Sequence, residues 1–161
     1  MPVPNNTKKE LFDQTNSIDL DDDTLKIALY DNSTAFSFDS ETHAYVGDVF
    51  DGGTTAQELS GSAGYTGTSD RKALANVSVT QDNTDDEAVL DADDVTWTGV
   101  ESTEDIQGYI IYRQVGADDS TPNDDEIIQL IDDADSADLP LTTNGSDVTV
   151  TFDAEGILNL A

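Results

Sequence analysis

The chain has 161 residues, with 35 Asp plus Glu against 6 Lys plus Arg and a formal net charge of −29. It contains no Cys and a single His, which excludes disulfides and thiolate metal sites and nearly excludes zinc in a protein-only site. There is no basic patch to release counterions from nucleic acid and no apolar run of bilayer-spanning length, so neither nucleic acid nor a membrane is expected as a partner.

The acids are spread along the chain rather than gathered in a tail, which argues against an acidic arm on an otherwise balanced domain. The length suits one domain, able to bury roughly two-thirds of its unfolded surface without cross-links. Self-repulsion at this charge strains a compact state in dilute buffer, whereas in molar salt the Debye length falls to about 3 Å. A high-salt environment is therefore expected.

Residues 1–16 are polar, lack the apolar stretch of a signal peptide and are expected to form an N-terminal arm. A turn of helix over Lys8–Gln14 has Leu11 and Phe12 as its anchors. The β domain is expected over 17–161. Asp21-Asp22-Asp23 is a turn leading into Leu25–Tyr30, a buried strand. Asp31–Ser40 is a loop carrying Phe36 and Phe38, and Thr42–Phe50 has room for one helical turn. The Gly/Ser/Thr-rich stretch Asp51–Asp70 predicts a long surface loop with a short edge strand near Gln57–Leu59.

Lys72–Thr80 alternates, with Ala73, Ala75, Val77 and Val79 on the apolar face. Ala88-Val89-Leu90 follows an acidic turn. Val95–Thr98, holding the sole Trp, and Tyr109-Ile110-Ile111-Tyr112 then read as two strands able to pair, with Trp97 against the two tyrosines. Asp118–Asp125 is an acidic loop, Glu126–Ile131 a strand, and Asp132–Asp138 loop again. Thr142-Thr143-Asn144-Gly145 is a hairpin-type turn before the alternating Val148, Val150 and Phe152, and Ile157–Leu160 closes the series. Short strands at this spacing, without amphipathic helices between them, predict an all-β domain, an antiparallel sandwich or barrel of jelly-roll type.

No catalytic, cofactor-binding or metal-binding residue is assigned. Asp19-x-Asp21-x-Asp23 and Asp91-x-Asp93-Asp94 invite a calcium reading, but the calcium loop's sixth and twelfth positions hold Thr24 and Tyr30 in one and Thr96 and Ser102 in the other. His43 lacks a nucleophile elbow and reads as structural. Acidic pairs are too numerous to single one out for glycoside hydrolysis. Asn5, Asn32, Asn76 and Asn144 each begin an Asn-x-Ser/Thr sequon.

The ordered landmarks point further. They are Leu25–Tyr30, the His43-x-Tyr45-x-x-Asp48-Val49 segment, Gly64-Tyr65-Thr66 and Asp91-Ala92-Asp93-Asp94-Val95-Thr96-Trp97. Tyr109-x-x-Tyr112, Leu130-Ile131-Asp132 and Thr149–Leu158 follow. Their order resembles a family of small virion structural proteins of tailed phages, from about Asp19 to the C-terminus. The departures, extreme acidity and the long 51–70 segment, resemble a member from a tailed virus of a haloarchaeon. The resemblance implies a non-enzymatic, β-rich, head-associated protein without cofactor, such as a capsid decoration or turret component. Its expected partners are the major capsid protein or other virion proteins and its own copies, in a homo-oligomer on the virion. A tail or neck component is the nearer alternative. A host- or carbohydrate-binding β module is the other, with Tyr65 and Phe36 as its candidate surface aromatics. Contacts are expected through 51–70 and the arm to Leu11, and deleting Gly52–Gly67 is expected to leave the fold intact.

Overall fold

The computed structural model describes residues 3–11, 13, 18–31, 33, 35–50, 56–60, 63–153 and 155–160. Its elements in chain order are α1 (Asn5–Glu10), β1 (Leu25–Asp31), α2 (Val46–Phe50), β2 (Gln57–Glu58), a 3-10 turn (Thr68–Asp70), β3 (Lys72–Ala73) and β4 (Ser78–Asp82). Then come β5 (Glu87–Asp91), β6 (Val95–Val100), β7 (Ile106–Arg113), β8 (Glu126–Ile131), β9 (Ser146–Val150) and β10 (Leu158–Leu160). The fold is all-β and every strand pair is antiparallel.

The apolar runs of the sequence make the central sheet. It has the order β2-β1-β7-β8, with β3 also on β1. Strands covered on both faces read as near-continuous apolar segments rather than alternating ones, which is how Leu25–Tyr30 and Glu126–Ile131 read. Leu25, Ile27, Leu29, Ile111 and Ile128 point into one core, shared with Leu90 and Leu158 of the three-stranded sheet β10-β5-β4 and with Trp97 and Val148 of the pair β6-β9. Ala28, Tyr30, Ile110, Tyr112, Ile127 and Leu130 face the other way, under Val46 and Val49 of α2 and beside Phe36, Phe38 and Phe50. Each fully buried large apolar side chain contributes roughly 1.5–3 kcal/mol. The two small sheets thus pack as a second layer on one face of the large one, sandwich-fashion, and α2 with the 36–50 segment covers its back.

Local irregularities seat particular side chains. Opposite Tyr30 stands Gly108, and a Cβ there would lie 2.6 Å from Tyr30 Cζ and nearer still to the Ile131 carbonyl oxygen. The Tyr30 ring fills that space, and its hydroxyl donates to the Ile131 carbonyl at 3.2 Å. A bulge skips Ile128 in the β7–β8 register, turning Ile128 to the face opposite Ile127 and Leu130.

Several expectations change. The strands holding Trp97 and Tyr109–Tyr112 do not pair: β6 pairs with β9, and β7 lies between β1 and β8. Trp97 is buried against Tyr65 instead, ring centroids 5.9 Å apart, and its indole N–H donates to the Asp70 carbonyl at 2.8 Å. Lys72–Thr80 is not one strand, because Asn76 takes a left-handed φ of 52° between β3 and β4. Leu74 enters the core there, and of the expected face only Val77 packs partly against it, Ala73, Ala75 and Val79 being exposed.

The 51–70 stretch is not wholly a surface loop. Positions 51–55, 61 and 62 lie outside the described residues, but Ala56, Leu59 and Tyr65 are fully buried. The edge strand is present as β2. Deleting Gly52–Gly67 would remove these anchors, so it cannot leave the fold intact. The helix near the N-terminus starts earlier than expected, at Asn5. It docks on β8 through Thr7, whose hydroxyl donates to the Ile127 carbonyl, while Val3 joins the core and Leu11 is half-buried. Phe12 and Gln14 lie outside the described residues.

Candidate functional site

Where α2, β2, the 3-10 turn and the 116–125 loop meet, a cleft of about 480 Å³ opens over Arg71. The turn Thr68–Asp70 ends at Arg71, whose extended backbone sends the guanidinium inward. Its Nε and Nη2 donate to the two carboxylate oxygens of Glu58 at 2.8 and 2.7 Å, the fork geometry that arginine makes and lysine cannot. The guanidinium lies 5.4 Å from the Phe50 ring centroid and 5.6 Å from that of Tyr112, within cation–π range of both. Its Nη1 sits 3.9 Å from Asp119 and is buried without a hydrogen bond.

The network extends outward from that pair. Asp119 accepts from the Tyr112 hydroxyl at 2.6 Å and pairs with Lys26. Glu58 accepts from the Tyr65 hydroxyl at 3.1 Å and from Thr68 at 3.2 Å, and the Leu29 N–H donates to the Tyr65 oxygen at 3.1 Å. Burial works against the Arg71 charge, but the bonds to Glu58 outweigh it and hold the guanidinium protonated. Burial, reinforced by Asp119, pushes the Tyr112 phenol far above its ordinary range, and burial with Glu58 does the same to Tyr65. Asp125 is fully buried, and that burial raises its carboxyl; one of its oxygens accepts from Val115 N–H at 2.8 Å. Two cations, Arg71 and Lys26, are set among three carboxylates, Glu58, Asp119 and Asp125, the last of which burial shifts toward its neutral form. The cluster ties β1, β2, β7 and the 116–125 loop together and presents no activated nucleophile to the cleft.

Of these residues the sequence singles out Tyr65, as a surface aromatic, and Tyr112, as a partner of Trp97, but not Arg71, Glu58, Lys26 or Asp119. The available signal was scarcity: in a chain of 35 acids, each of the 6 cations is a candidate for an internal pair. Arg113 obeys it too, bonding Asp23 at 2.8 Å and Glu126 at 3.0 Å.

The acidic motifs are used by the backbone. Asp23 accepts from Asp19 N–H at 2.8 Å and closes its turn, and hydrogen bonding with neighbouring Asp21 raises the Asp19 carboxyl. Asp91 accepts from Ala92 N–H at 2.8 Å, Asp93 from the Asn76 amide at 2.7 Å, and Asp94 from Phe152 N–H at 3.0 Å. These three carboxylates diverge. Among the described residues no group of three His, Asp or Glu converges as a metal requires. Asp48 accepts from the N–H groups of Ala44 and Tyr45 at 3.0 and 2.9 Å and so starts α2. His43 accepts from Asp39 N–H at 2.8 Å, with its ring 5.1 Å from Phe36 and 5.9 Å from Phe38.

Of the candidate surface aromatics, Tyr65 is fully buried and Phe36 half-buried against Tyr30. Asn5 and Asn144 are exposed, as is Asn76, whose amide is taken by Asp93; Asn32 lies outside the described residues. Among the described residues no helix is long and apolar enough to cross a membrane. In comparisons with family models, curated proteins and solved structures, the chain matches none.

Proposed function

We propose that the chain is a non-enzymatic structural subunit of a tailed virus particle. In this role it is seated on the head, binds the major capsid protein and its own copies, and works in high salt. The observation that carries the reading is what the landmark side chains are used for. Tyr65 and Trp97 form one buried aromatic pair, Asp48 starts a helix, Asp94 fixes the chain after β9, and Tyr112 anchors the 116–125 loop through Asp119. Residues that in an enzyme or a glycan-binding module would converge on a ligand are here consumed in holding strands and loops. What remains outside is an anionic shell, suited to close contact with other proteins only where salt screens it. The burial of Tyr65 also weighs against the carbohydrate-binding alternative.

The test is co-sedimentation of the purified chain, in molar salt, with tail-less heads lacking it and, separately, with isolated tails. Saturable binding to heads is expected. Binding to tails alone would move the subunit to the tail, and binding to neither would remove the virion reading.

A further inference from the structure

The register sets Lys26 of β1 directly opposite Tyr112 of β7, on the face of β1 that also carries Ala28 and Tyr30. Asp119 comes over that pair from the 116–125 loop. Its Oδ2 accepts from Lys26 Nζ, and its Oδ1 accepts from the Tyr112 hydroxyl at 2.6 Å. The Lys26 and Asp119 side chains are only 13% and 10% exposed. Two further groups exceed what an ion pair needs. Arg71 Nη1 stands 3.9 Å from the same Oδ1, buried and with no hydrogen bond of its own. Asp125 is fully buried and its Oδ2 has no partner; burial raises its carboxyl, Asp119 adds to the rise, and Arg71 and Lys26 oppose it. An amine therefore lies at one oxygen of a carboxyl group, two donors lie at the other, and a second acid stands beside them.

We propose that Lys26 Nζ and Asp119 Cγ condense into an intramolecular amide, a covalent link between β1 and the 116–125 loop across 93 positions of the chain. The step balances within the site. The ammonium passes one proton to Oδ2 along their hydrogen bond, and the freed electron pair attacks Cγ. As the N–C bond forms, negative charge moves to Oδ1, where the Tyr112 hydroxyl and Arg71 Nη1 receive it. Asp125 gives its proton to Oδ2 and takes one from the nitrogen; the Cγ–Oδ2 bond breaks and one water leaves. No oxidant, cofactor or second substrate is needed, and each chain reacts once. Holding amine and carboxyl together gives an effective concentration on the order of 10⁵ M or more. Burial favours the product, because a neutral amide escapes the desolvation cost of two buried charges. Arg71 and Glu58 remain as a matched pair. The inference concerns the chain alone and does not rest on the virion reading.

The experiment is intact-mass spectrometry of the full chain, purified in molar salt and then denatured, with tandem spectra to locate the link. The expected mass is one water below that of the linear sequence, with the fragment holding Lys26 joined to the one holding Asp119. Lys26→Arg and Asp119→Ala, each checked for folding by circular dichroism, should restore the full mass. Tyr112→Phe, sampled soon after synthesis, should be linked in a smaller fraction than the wild type, and an equal fraction overturns the role given to that hydroxyl. A folded wild type of full mass overturns the proposal and leaves Lys26 and Asp119 an ion pair. So does a water loss that survives Lys26→Arg or that hydroxylamine abolishes, since either marks an imide at an Asp-Gly step such as Asp51-Gly52.

Discussion

Replacing Arg71 by Met tests the central network most directly. The guanidinium is held by two bonds to Glu58, lies over Phe50 and Tyr112, and its side chain is 4% exposed. Methionine keeps most of the apolar contact and removes the charge, leaving Glu58 with its Tyr65 and Thr68 bonds but no counter-charge in a largely dry place. Removing one partner of a buried pair costs about 3–5 kcal/mol. For a chain of this size each kcal/mol is worth about 2–4 °C, so the midpoint should fall by about 6–20 °C. Arg71→Lys keeps a charge but loses the fork and the stacking, and should fall between, at about 1–3 kcal/mol.

The assay is thermal unfolding followed by circular dichroism at two high salt concentrations, with Asn144→Asp as the control that shifts the net charge by the same unit at an exposed position. The Arg71→Met deficit beyond the control should be nearly independent of salt, because buried pairs are little screened. A deficit within about 0.5 kcal/mol of the control, the range of ordinary surface substitutions, would refute the idea that this pair fastens the sheet to its loops.

Trp97→Ala should cost about 3–5 kcal/mol through the cavity left beside Tyr65; a midpoint unchanged from wild type in thermal unfolding would mean that Trp97 is not part of the core. Gly108→Ala should destabilise by about 1–3 kcal/mol or more, because its Cβ has no room under Tyr30, and urea unfolding at wild-type stability would contradict that packing. Asp70 accepts from the N–H and hydroxyl of Thr66 at 2.6 Å, which lower its pKa. Its contribution is therefore present above the ordinary carboxylate value of about 3.9 and lost as pH falls through the lowered one. The gap in melting temperature between wild type and Asp70→Ala should shrink as pH drops below about 4, and a constant gap would count against it. Lowering salt from molar to about 0.1 M, where the Debye length is near 10 Å, should expand the chain; an unchanged scattering radius would remove the argument from charge.

The sequence showed best the segments whose pattern is set by burial alone. Leu25–Tyr30 and Glu126–Ile131 are apolar because both faces of the central sheet are covered, and each appears as a strand within one residue of its expected ends. The Lys72–Thr80 alternation misled in part because exposed Ala73 and Ala75 mimic an apolar face, while Leu74, of the opposite parity, is the residue that is buried and Val77 alone of the expected face packs beside the core. Partners were the least legible. Adjacent strands usually pair, but β6 and β7 go to different layers, and β7, which pairs along the whole of β1, lies far along the chain. The Arg71 network joins Lys26 and Tyr112 of the apolar central strands to Glu58 and Arg71 of the polar 57–71 stretch and to Asp119 of the acidic 118–125 loop, and only the last two stretches read in isolation as solvated loop.

The docking of α1 on β8 has a consequence for how the protein comes into being on the ribosome. The bond from Thr7 to Ile127 joins residues 120 apart, and the pair of Lys26 with Asp119 spans 93. Closing loops of that length must precede any reward from the central sheet, so the chain belongs among slow, non-local folders. The nascent chain can set only the short β2 and β3 on β1 at first, and its pairing along the whole strand waits until β7 has left the exit tunnel. During that interval aggregation through exposed strands is the hazard.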